Sequence, residues 1–220
     1  VGGTISRPIF RGELKADTIV MNGVELREIH SFAHYENGII ELDETGFRQG
    51  TDGSVTARLH YDTATRALRG TMNIDRMDVQ ALLALANQKE DRLTGQITSV
   101  VRLGGTLDNP SISLTGEIAE GSLASYPVRD VGLDVTLADR VLTVRKLAGE
   151  QGGGSFSAVG TVDFDGLANV DVTGTDIALG IFTRFAGVEE DVTGTTSLTL
   201  HIGGHTQNPE ADLRMTAKNG

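Results

Sequence analysis

Gly104-Gly105-Thr106-Leu107-Asp108-Asn109-Pro110 is the stretch that decides how this chain folds, because it occurs three times. A first copy occupies residues 2–8 and a third occupies residues 203–209. Every copy consists of two glycines, four variable residues and a proline, and the prolines are 102 and 99 residues apart. Self-similarity at a nearly constant period indicates a protein built from structural repeats.

The chemistry of this seven-residue motif is that of a turn. Two glycines free the backbone for positive φ or for a close approach. Proline fixes φ and lacks an N–H, so it does not sit inside a central strand. We therefore predict that a strand ends at each glycine pair, that the chain turns, and that a new strand starts after the proline. This interpretation makes the motif a joint between repeats, without a reaction of its own.

Between the joints, apolar and polar residues alternate. The pattern is clear over Val131–Leu137, over Phe156–Phe164, where Val159 alone is out of pattern, and over Val55–Tyr61. A period of two predicts strands with a single apolar face. Glycine-containing turn signals such as Asn37-Gly38 separate them. We expect about seven short strands in each repeat.

One segment of each repeat has a helical pattern instead. Residues 78–87 place apolar side chains at helical spacing behind Asp78, a suitable N-cap, and residues 176–186 hold the same place in the second repeat. The predicted organisation is a first β repeat over 2–103 with a helix near 78–87, a second over 104–202 with a helix near 176–186, and the start of a third over 203–220.

Composition narrows the class of partner. The formal net charge is −11, which argues against nucleic acid, because phosphate contacts need a basic surface. The chain has no cysteine and no apolar run approaching the roughly 20 residues of a membrane-spanning helix. Both ends lie beside a copy of the repeat motif. We therefore expect an excerpt of a longer repeat protein, with any membrane anchor or export signal outside it.

The search for catalytic chemistry leads to the expectation that the protein is not an enzyme and has no cofactor or metal. Gly149–Ser155 has the glycine spacing of a phosphate-binding loop, but it lacks the lysine and precedes a strand. His30 and His34, like His201 and His205, are four residues apart, and neither pair has a third ligand in the pattern. We interpret them as surface histidines.

Three features together resemble the TamB and AsmA-like family of bacterial envelope proteins. The first is the repeated motif at 104–110. The second is the short helix followed by a Thr-Gly strand entry, at 78–95 and again at 176–194. The third is the hairpin and glycine turn before an alternating strand, over 131–164. The likeness covers essentially the whole chain.

The resemblance implies a fold, a place and a function. The fold would be all-β: an elongated, repeat-built, curved sheet folded like a taco around an apolar groove, with short helices. Family members are anchored in the inner membrane, cross the periplasm and are implicated in moving phospholipid to the outer membrane. TamB itself also assists outer-membrane protein assembly with a barrel partner of the TamA/BamA type. The family brings no catalytic residues.

The alternating apolar positions are the candidate groove lining for phospholipid acyl chains. Alternation shows only that one face avoids water, so a closed, dry sandwich core is the alternative. A scaffold that pairs its strand edges with outer-membrane proteins, such as autotransporters, is the alternative function, and a structural repeat or adhesin without a ligand is a third. The candidate lining residues are Val55, Leu59, Leu133, Val135, Leu137, Val144, Phe156, Val162, Phe164, Leu198, Leu200 and Ile202.

Overall fold

The computed structural model of the chain describes residues 2–4, 7–88, 92–185 and 193–218. These residues form fourteen strands and two short helices. The elements are β1 (Gly2–Thr4), β2 (Arg7–Met21), β3 (Val24–Glu36), β4 (Ile39–Gln49), β5 (Gly53–Asp62), β6 (Leu68–Asp78), α1 (Val79–Leu85), β7 (Leu93–Gly105), β8 (Pro110–Leu123), β9 (Tyr126–Ala138), β10 (Val141–Gln151), β11 (Gly154–Asp163), β12 (Ala168–Ala178), α2 (Gly180–Phe185), β13 (Thr195–His205) and β14 (Asn208–Lys218).

The strands form one antiparallel sheet in which every strand lies beside its predecessor in the chain. Among the described residues β1 and β14 stand at the two ends of this order, so the sheet is open. The prediction of an all-β fold with an open sheet and short helices is confirmed.

Tight two-residue turns explain why the strands pair in sequence. Asn37 and Gly38 have φ of 51° and 81°, and Asn22 and Gly23 have φ of 52° and 82°. Positive φ at both positions is the type I′ geometry that matches the twist of a hairpin. Asp139 and Arg140 adopt it as well, with φ of 50° and 62°. Each such turn returns the chain directly alongside the strand it has just left.

The strands are longer and fewer than the alternation predicts. Six strands, not seven, lie between successive joints, and β2–β14 are 10 to 15 residues long. Gly116 and Gly121 are glycines of the kind that often end a strand, yet both lie inside β8. A β-carbon at Gly121 would stand 2.3 Å from the carbonyl oxygen of Thr94 on β7. That glycine therefore permits close strand approach and does not end the strand.

The repeated motif is a joint, but its boundaries differ from the prediction. β7 and β13 run through both glycines, and Pro110 is the first residue of β8. Pro209 is the second residue of β14 and lies opposite Gly204. Proline is tolerated at these positions because the first residues of a strand can do without a ladder donor.

By the density of contacts, the chain divides into two compact units. Unit 1 comprises Val1–Lys89 and Gln96–Leu114, and unit 2 comprises Glu90–Gly95 and Thr115–Gly220. The repeat boundaries near 103 and 202 come from the sequence pattern and stay a prediction.

Helix α1 covers one end of the strands of unit 1. Its N-cap is Asp78, whose Oδ1 accepts hydrogen bonds from the backbone N–H groups of Gln80 at 2.7 Å and Ala81 at 3.1 Å. At the other end, Asn22 Nδ2 donates to the carbonyl oxygen of Ala84 at 3.1 Å. The helix packs its apolar side against Val24 and Leu26 of β3 and their apolar neighbours.

Helix α2 of unit 2 begins later than the pattern predicts. Asp176 has a φ of 50° at an irregularity in β12, and the strand continues to Ala178 before the helix starts at Gly180. Ile181 is buried, and the Arg184 guanidinium lies 5.7 Å from the centre of the Tyr126 ring. Residue 186, which the prediction includes in this helix, lies outside the described residues, as does the acidic segment 189–191.

Candidate functional site: the apolar face of the sheet

The strand register of unit 2 brings the apolar residues of neighbouring strands to the same face. Val135 of β9 lies directly opposite Val144 of β10, and Leu137 lies opposite Leu142. Leu142 in turn lies opposite Val162 of β11. Directly opposed residues of antiparallel strands point to the same side. Apolar side chains therefore cross three strands without a break.

The same face continues across β12, β13 and β14. Val172 of β12 lies opposite Leu200 of β13, which lies opposite Leu213 of β14. We call the resulting surface of β9–β14 the apolar face of unit 2. Its members are Leu133, Val135, Leu137, Leu142, Val144, Leu147, Phe156, Ala158, Val162, Ala168, Val170, Val172, Leu198, Leu200, Ile202, Ala211, Leu213, Met215 and Ala217.

Of the ten predicted lining residues in unit 2, nine belong to this face and Phe164 does not. Phe164 follows the last residue of β11, in the turn, where it is 47% exposed. Val159, the exception in the alternation, was not predicted to line the face, and it lies opposite Asp171 on the polar side. Of the nine predicted residues on the face, Leu198 is buried. The other eight predicted residues are half-buried: Leu133, Val135, Leu137, Val144, Phe156, Val162, Leu200 and Ile202.

Sequence reasoning missed part of the face. Leu142, Leu147, Leu213 and Met215 belong to it and were not among the predicted lining residues. For Leu142 the signal was present, since a two-residue turn at 139–140 places Leu142 opposite Leu137. Leu147 follows a register shift between Val144 and Lys146. Because this shift interrupts the alternation, a period of two assigns Leu147 to the wrong face of the sheet.

The two predicted residues of unit 1 share one face as well. Val55 lies between Phe47 of β4 and Ile74 of β6, and it is buried. Leu59 lies between Leu42 and Gly70 and is half-buried. Unit 1 therefore also has an apolar face, crossed by β4, β5 and β6.

Burial of these faces is uneven. In unit 1, Val24, Leu26 and Ala81 form a buried cluster where α1 packs. Away from the helix, Leu14 of β2 is 58% exposed. In unit 2, Leu213 is 55% exposed and Met215 is 49% exposed. Each unit therefore presents apolar side chains that water can reach.

The opposite side of the sheet is polar. In unit 2, Arg145 donates to Asp134 Oδ1 at 2.9 Å, and His201 Nδ1 lies 2.8 Å from Asp171 Oδ1. The hydrogen bond and the charge of Asp134 raise the pKa of Arg145 above its usual value. Exposed pairs of this kind add little stability. They show that this side faces water, and the two sides of the sheet are chemically distinct.

The look-alikes of catalytic motifs have structural roles. The segment 149–155 is the end of β10, a turn at Gly152-Gly153 and the start of β11. Gln151 within it is buried, and its Oε1 accepts a 2.6 Å hydrogen bond from the backbone N–H of Ala178. In the part of the chain that the structure describes, no group of three or more His, Asp or Glu side chains is arranged to hold a metal ion.

Comparisons with protein-family models, with curated proteins and with solved structures found no match to this chain. No helix within the described ranges is both long and apolar enough to cross a membrane.

Proposed function

We propose that the apolar faces bind phospholipid acyl chains, and that the chain forms part of a TamB/AsmA-like conduit for phospholipid between the inner and outer membranes. The observation that carries the proposal is the apolar face of unit 2. It crosses six neighbouring strands without a polar row, and it ends on β14, where Leu213 and Met215 are about half exposed.

The size of this face fits an acyl chain. Neighbouring strands are about 4.8 Å apart, so six strands span about 24 Å. One leaflet is half of a hydrocarbon core about 30 Å thick, so an extended acyl chain measures about 15 Å. A chain lying across the strands therefore stays on apolar side chains along its whole length.

The chemistry of the face suits movement more than tight binding. Leaving a bilayer for water costs an acyl chain about 0.8 kcal/mol per CH₂. Aliphatic side chains such as Val135, Val172 and Leu200 offset that cost and offer no hydrogen-bonding group. The contacts are non-directional, so a chain can shift between strands at little change in free energy.

The cellular context follows from the resemblance. We propose a periplasmic location, an inner-membrane anchor beyond residues 1–220, and an outer-membrane barrel protein of the TamA/BamA type as partner. In this proposal the protein is not an enzyme and needs no cofactor. The net charge of −11 supports the expectation that it does not bind nucleic acid.

The test is whether phospholipid co-purifies with the chain through the apolar face. Lipid extracted from the purified protein is quantified by mass spectrometry for the native chain and for Leu213→Asp, which places a charge on the face. The matched control is Thr216→Asp, since Thr216 lies on the same exposed strand one residue beyond Met215 and on the polar side. We expect lipid in the native chain and the control, and a several-fold loss in Leu213→Asp. Equal lipid in both variants would contradict the proposal.

The alternative function is a scaffold for outer-membrane protein assembly, which acts by pairing a strand edge with an outer-membrane strand. The last strand in the order of the described residues is β14, and all eleven of its residues are exposed. The scaffold function therefore predicts that photocrosslinkers at Asp212 and Arg214 capture strands of outer-membrane barrel proteins. Capture at Thr199 of β13 with equal yield would instead indicate non-specific contact.

A further inference from the structure

Three arginines meet on the polar side of unit 1. Arg58 of β5 lies opposite Thr71 of β6, and Thr71 lies opposite Arg102 of β7. Arg69 is two residues before Thr71 on the same strand and therefore lies on the same side. With strands about 4.8 Å apart, Arg58 and Arg102 stand about 10 Å apart with Thr71 between them. We call Arg58, Arg69 and Arg102 the arginine cluster.

No arginine of the cluster has a carboxylate partner among the described residues. The side chains of Arg58 and Arg102 make no hydrogen bond or ion pair with any described residue. The Arg69 side chain hydrogen-bonds, within the described residues, only to the imidazole of His60, with Nη2 3.2 Å from Nε2. In unit 2, by contrast, Arg145 and Arg129 each lie within 3.4 Å of a carboxylate.

A cavity of about 390 Å³ lies among these side chains. Two carboxylates, Glu41 and Asp43, also line it. Glu41 is engaged by His60, whose Nδ1 lies 3.2 Å from its Oε1, and Asp43 has no ion pair among the described residues. The three guanidinium groups and these two carboxylates leave a net charge of +1 among the lining side chains, counting His60 as neutral, within a chain of net charge −11.

The repeated joint borders this site. Gly104 is two residues beyond Arg102 on β7 and so lies on the same side. A β-carbon at Gly104 would stand 2.8 Å from Ser111 Oγ. The Ser111 hydroxyl therefore occupies the space that a side chain at Gly104 would take. Thr71 supplies a hydroxyl to the cavity lining.

The second repeat shows that the fold does not need these arginines. β11 and β12 pair in the same register as β5 and β6, so the opposed pair Val159 and Asp171 corresponds to the pair Arg58 and Thr71. In the same way, His201, which lies opposite Asp171, corresponds to Arg102. Asn169 takes the place of Arg69. The same strands therefore form with no arginine at any of the three positions.

We propose that the arginine cluster binds a phosphate group, as a free phosphate, a phosphomonoester or the head group of a phospholipid. Guanidinium groups match phosphate oxygens with paired, charge-assisted hydrogen bonds. The hydroxyl of Thr71, which lines the cavity, donates to a remaining oxygen. Within unit 1 this site lies on the opposite side of the strands from the apolar residues Val55 and Leu59, and it does not depend on acyl-chain binding.

The test is isothermal titration calorimetry of the purified chain at low salt, with inorganic phosphate and glycerol phosphate as probes. We expect saturable binding that weakens by at least about tenfold in the double variant R58Q/R102Q, because each removes a charge-assisted contact. The charge-matched control is R129Q/R145Q, which removes two arginines from unit 2. Leu213→Asp is a second control and leaves the phosphate affinity unchanged whether or not acyl chains bind.

A parallel measurement identifies the source of the phosphate. Flotation with phosphatidylglycerol vesicles, compared with phosphatidylcholine vesicles, reports on a lipid head group. Co-flotation that R58Q/R102Q abolishes assigns the site to a head group, and calorimetric binding without co-flotation assigns it to a soluble phosphate. Absence of binding to every probe, or equal loss in R129Q/R145Q, would overturn the proposal.

Discussion

Ser99 is a polar residue in an apolar place. It is 4% exposed, lies opposite Ile74 in the pairing of β6 with β7, and its Oγ has no hydrogen-bond partner among the described residues. A buried hydroxyl without a partner costs about 1–3 kcal/mol. We predict that Ser99→Ala raises the free energy of unfolding by about 1 kcal/mol, measured by denaturant titration.

The control for this prediction is Ser157→Ala. Ser157 Oγ lies 2.8 Å from Thr173 Oγ1 on the polar side of the sheet, so its removal breaks a hydrogen bond. We expect that variant to be neutral or slightly less stable. A loss of stability in Ser99→Ala would contradict the assignment of an unsatisfied hydroxyl.

Arg76 illustrates backbone strain at a register shift. Its φ is 46°, and the pairing of β6 with β7 shifts between Ile74 and Met77. Left-handed backbone costs a residue with a β-carbon about 1–2 kcal/mol, and a β-branched side chain fits there worst. We predict that Arg76→Val lowers the free energy of unfolding by about 1–2 kcal/mol more than Asn73→Val on the same strand. Equal effects of the two substitutions would count against the bulge.

At the scale of the element, helix α1 depends on its first residue. Asp78 Oδ1 accepts from two backbone N–H groups that the helix itself leaves without partners. We predict that Asp78→Ala costs about 1 kcal/mol of stability. Asp75→Ala, three residues earlier and outside the helix, is the control. If both variants unfold at the same denaturant concentration, the cap does not stabilise the helix.

The turn after β5 depends on pH. Asp62 Oδ1 accepts from the backbone N–H groups of Ala64 at 2.8 Å and Thr65 at 3.1 Å. The N–H of Thr65 first, and that of Ala64 next, lower the pKa of Asp62 in the folded state. A carboxyl group whose pKa is lower in the folded state stabilises the fold at pH values above its unfolded-state pKa. That stabilisation is lost as the pH falls through the folded-state pKa.

We therefore expect Asp62→Asn to be less stable than the native chain at neutral pH. We expect this difference in the free energy of unfolding to shrink as the pH falls below about 4. Unfolding free energies at several pH values measure this. Asp17→Asn, which removes an exposed carboxylate of β2, is the control. The same acid dependence in native and Asp62→Asn chains would exclude the role of this turn.

At the scale of the whole molecule, the sequence predicts on which face of the sheet most side chains lie, but it does not predict where each strand begins and ends. Alternation places Leu133, Val135 and Leu137 on one face because side chains change sides at every residue. A bulge shifts the alternation by one residue, so Leu147 lies on the face that the pattern does not predict. Glycines inside a strand, such as Gly121, resemble strand ends in the sequence. Both depend on the neighbouring strand, which a local pattern does not contain.

The arginine cluster shows the same limit for sites. Arg58 and Arg102 are 44 positions apart in the sequence, and only the registers of two strand pairs bring them together around Thr71. The helices were recognisable, because Asp78 precedes a helical pattern. The start of α2 was not, since Asp176 looks like a cap and instead lies at a bulge in β12.

The central claim is that the apolar face binds acyl chains, and site-specific photocrosslinking in cells tests it most directly. Crosslinkers at Val135 and Leu200 lie on the apolar face, and those at Thr136 and Thr199 lie on the other side of the same two strands. We predict phospholipid adducts, identified by mass spectrometry, at Val135 and Leu200 and none at Thr136 and Thr199. Adducts at neither pair, or equal yields at both, would contradict the claim.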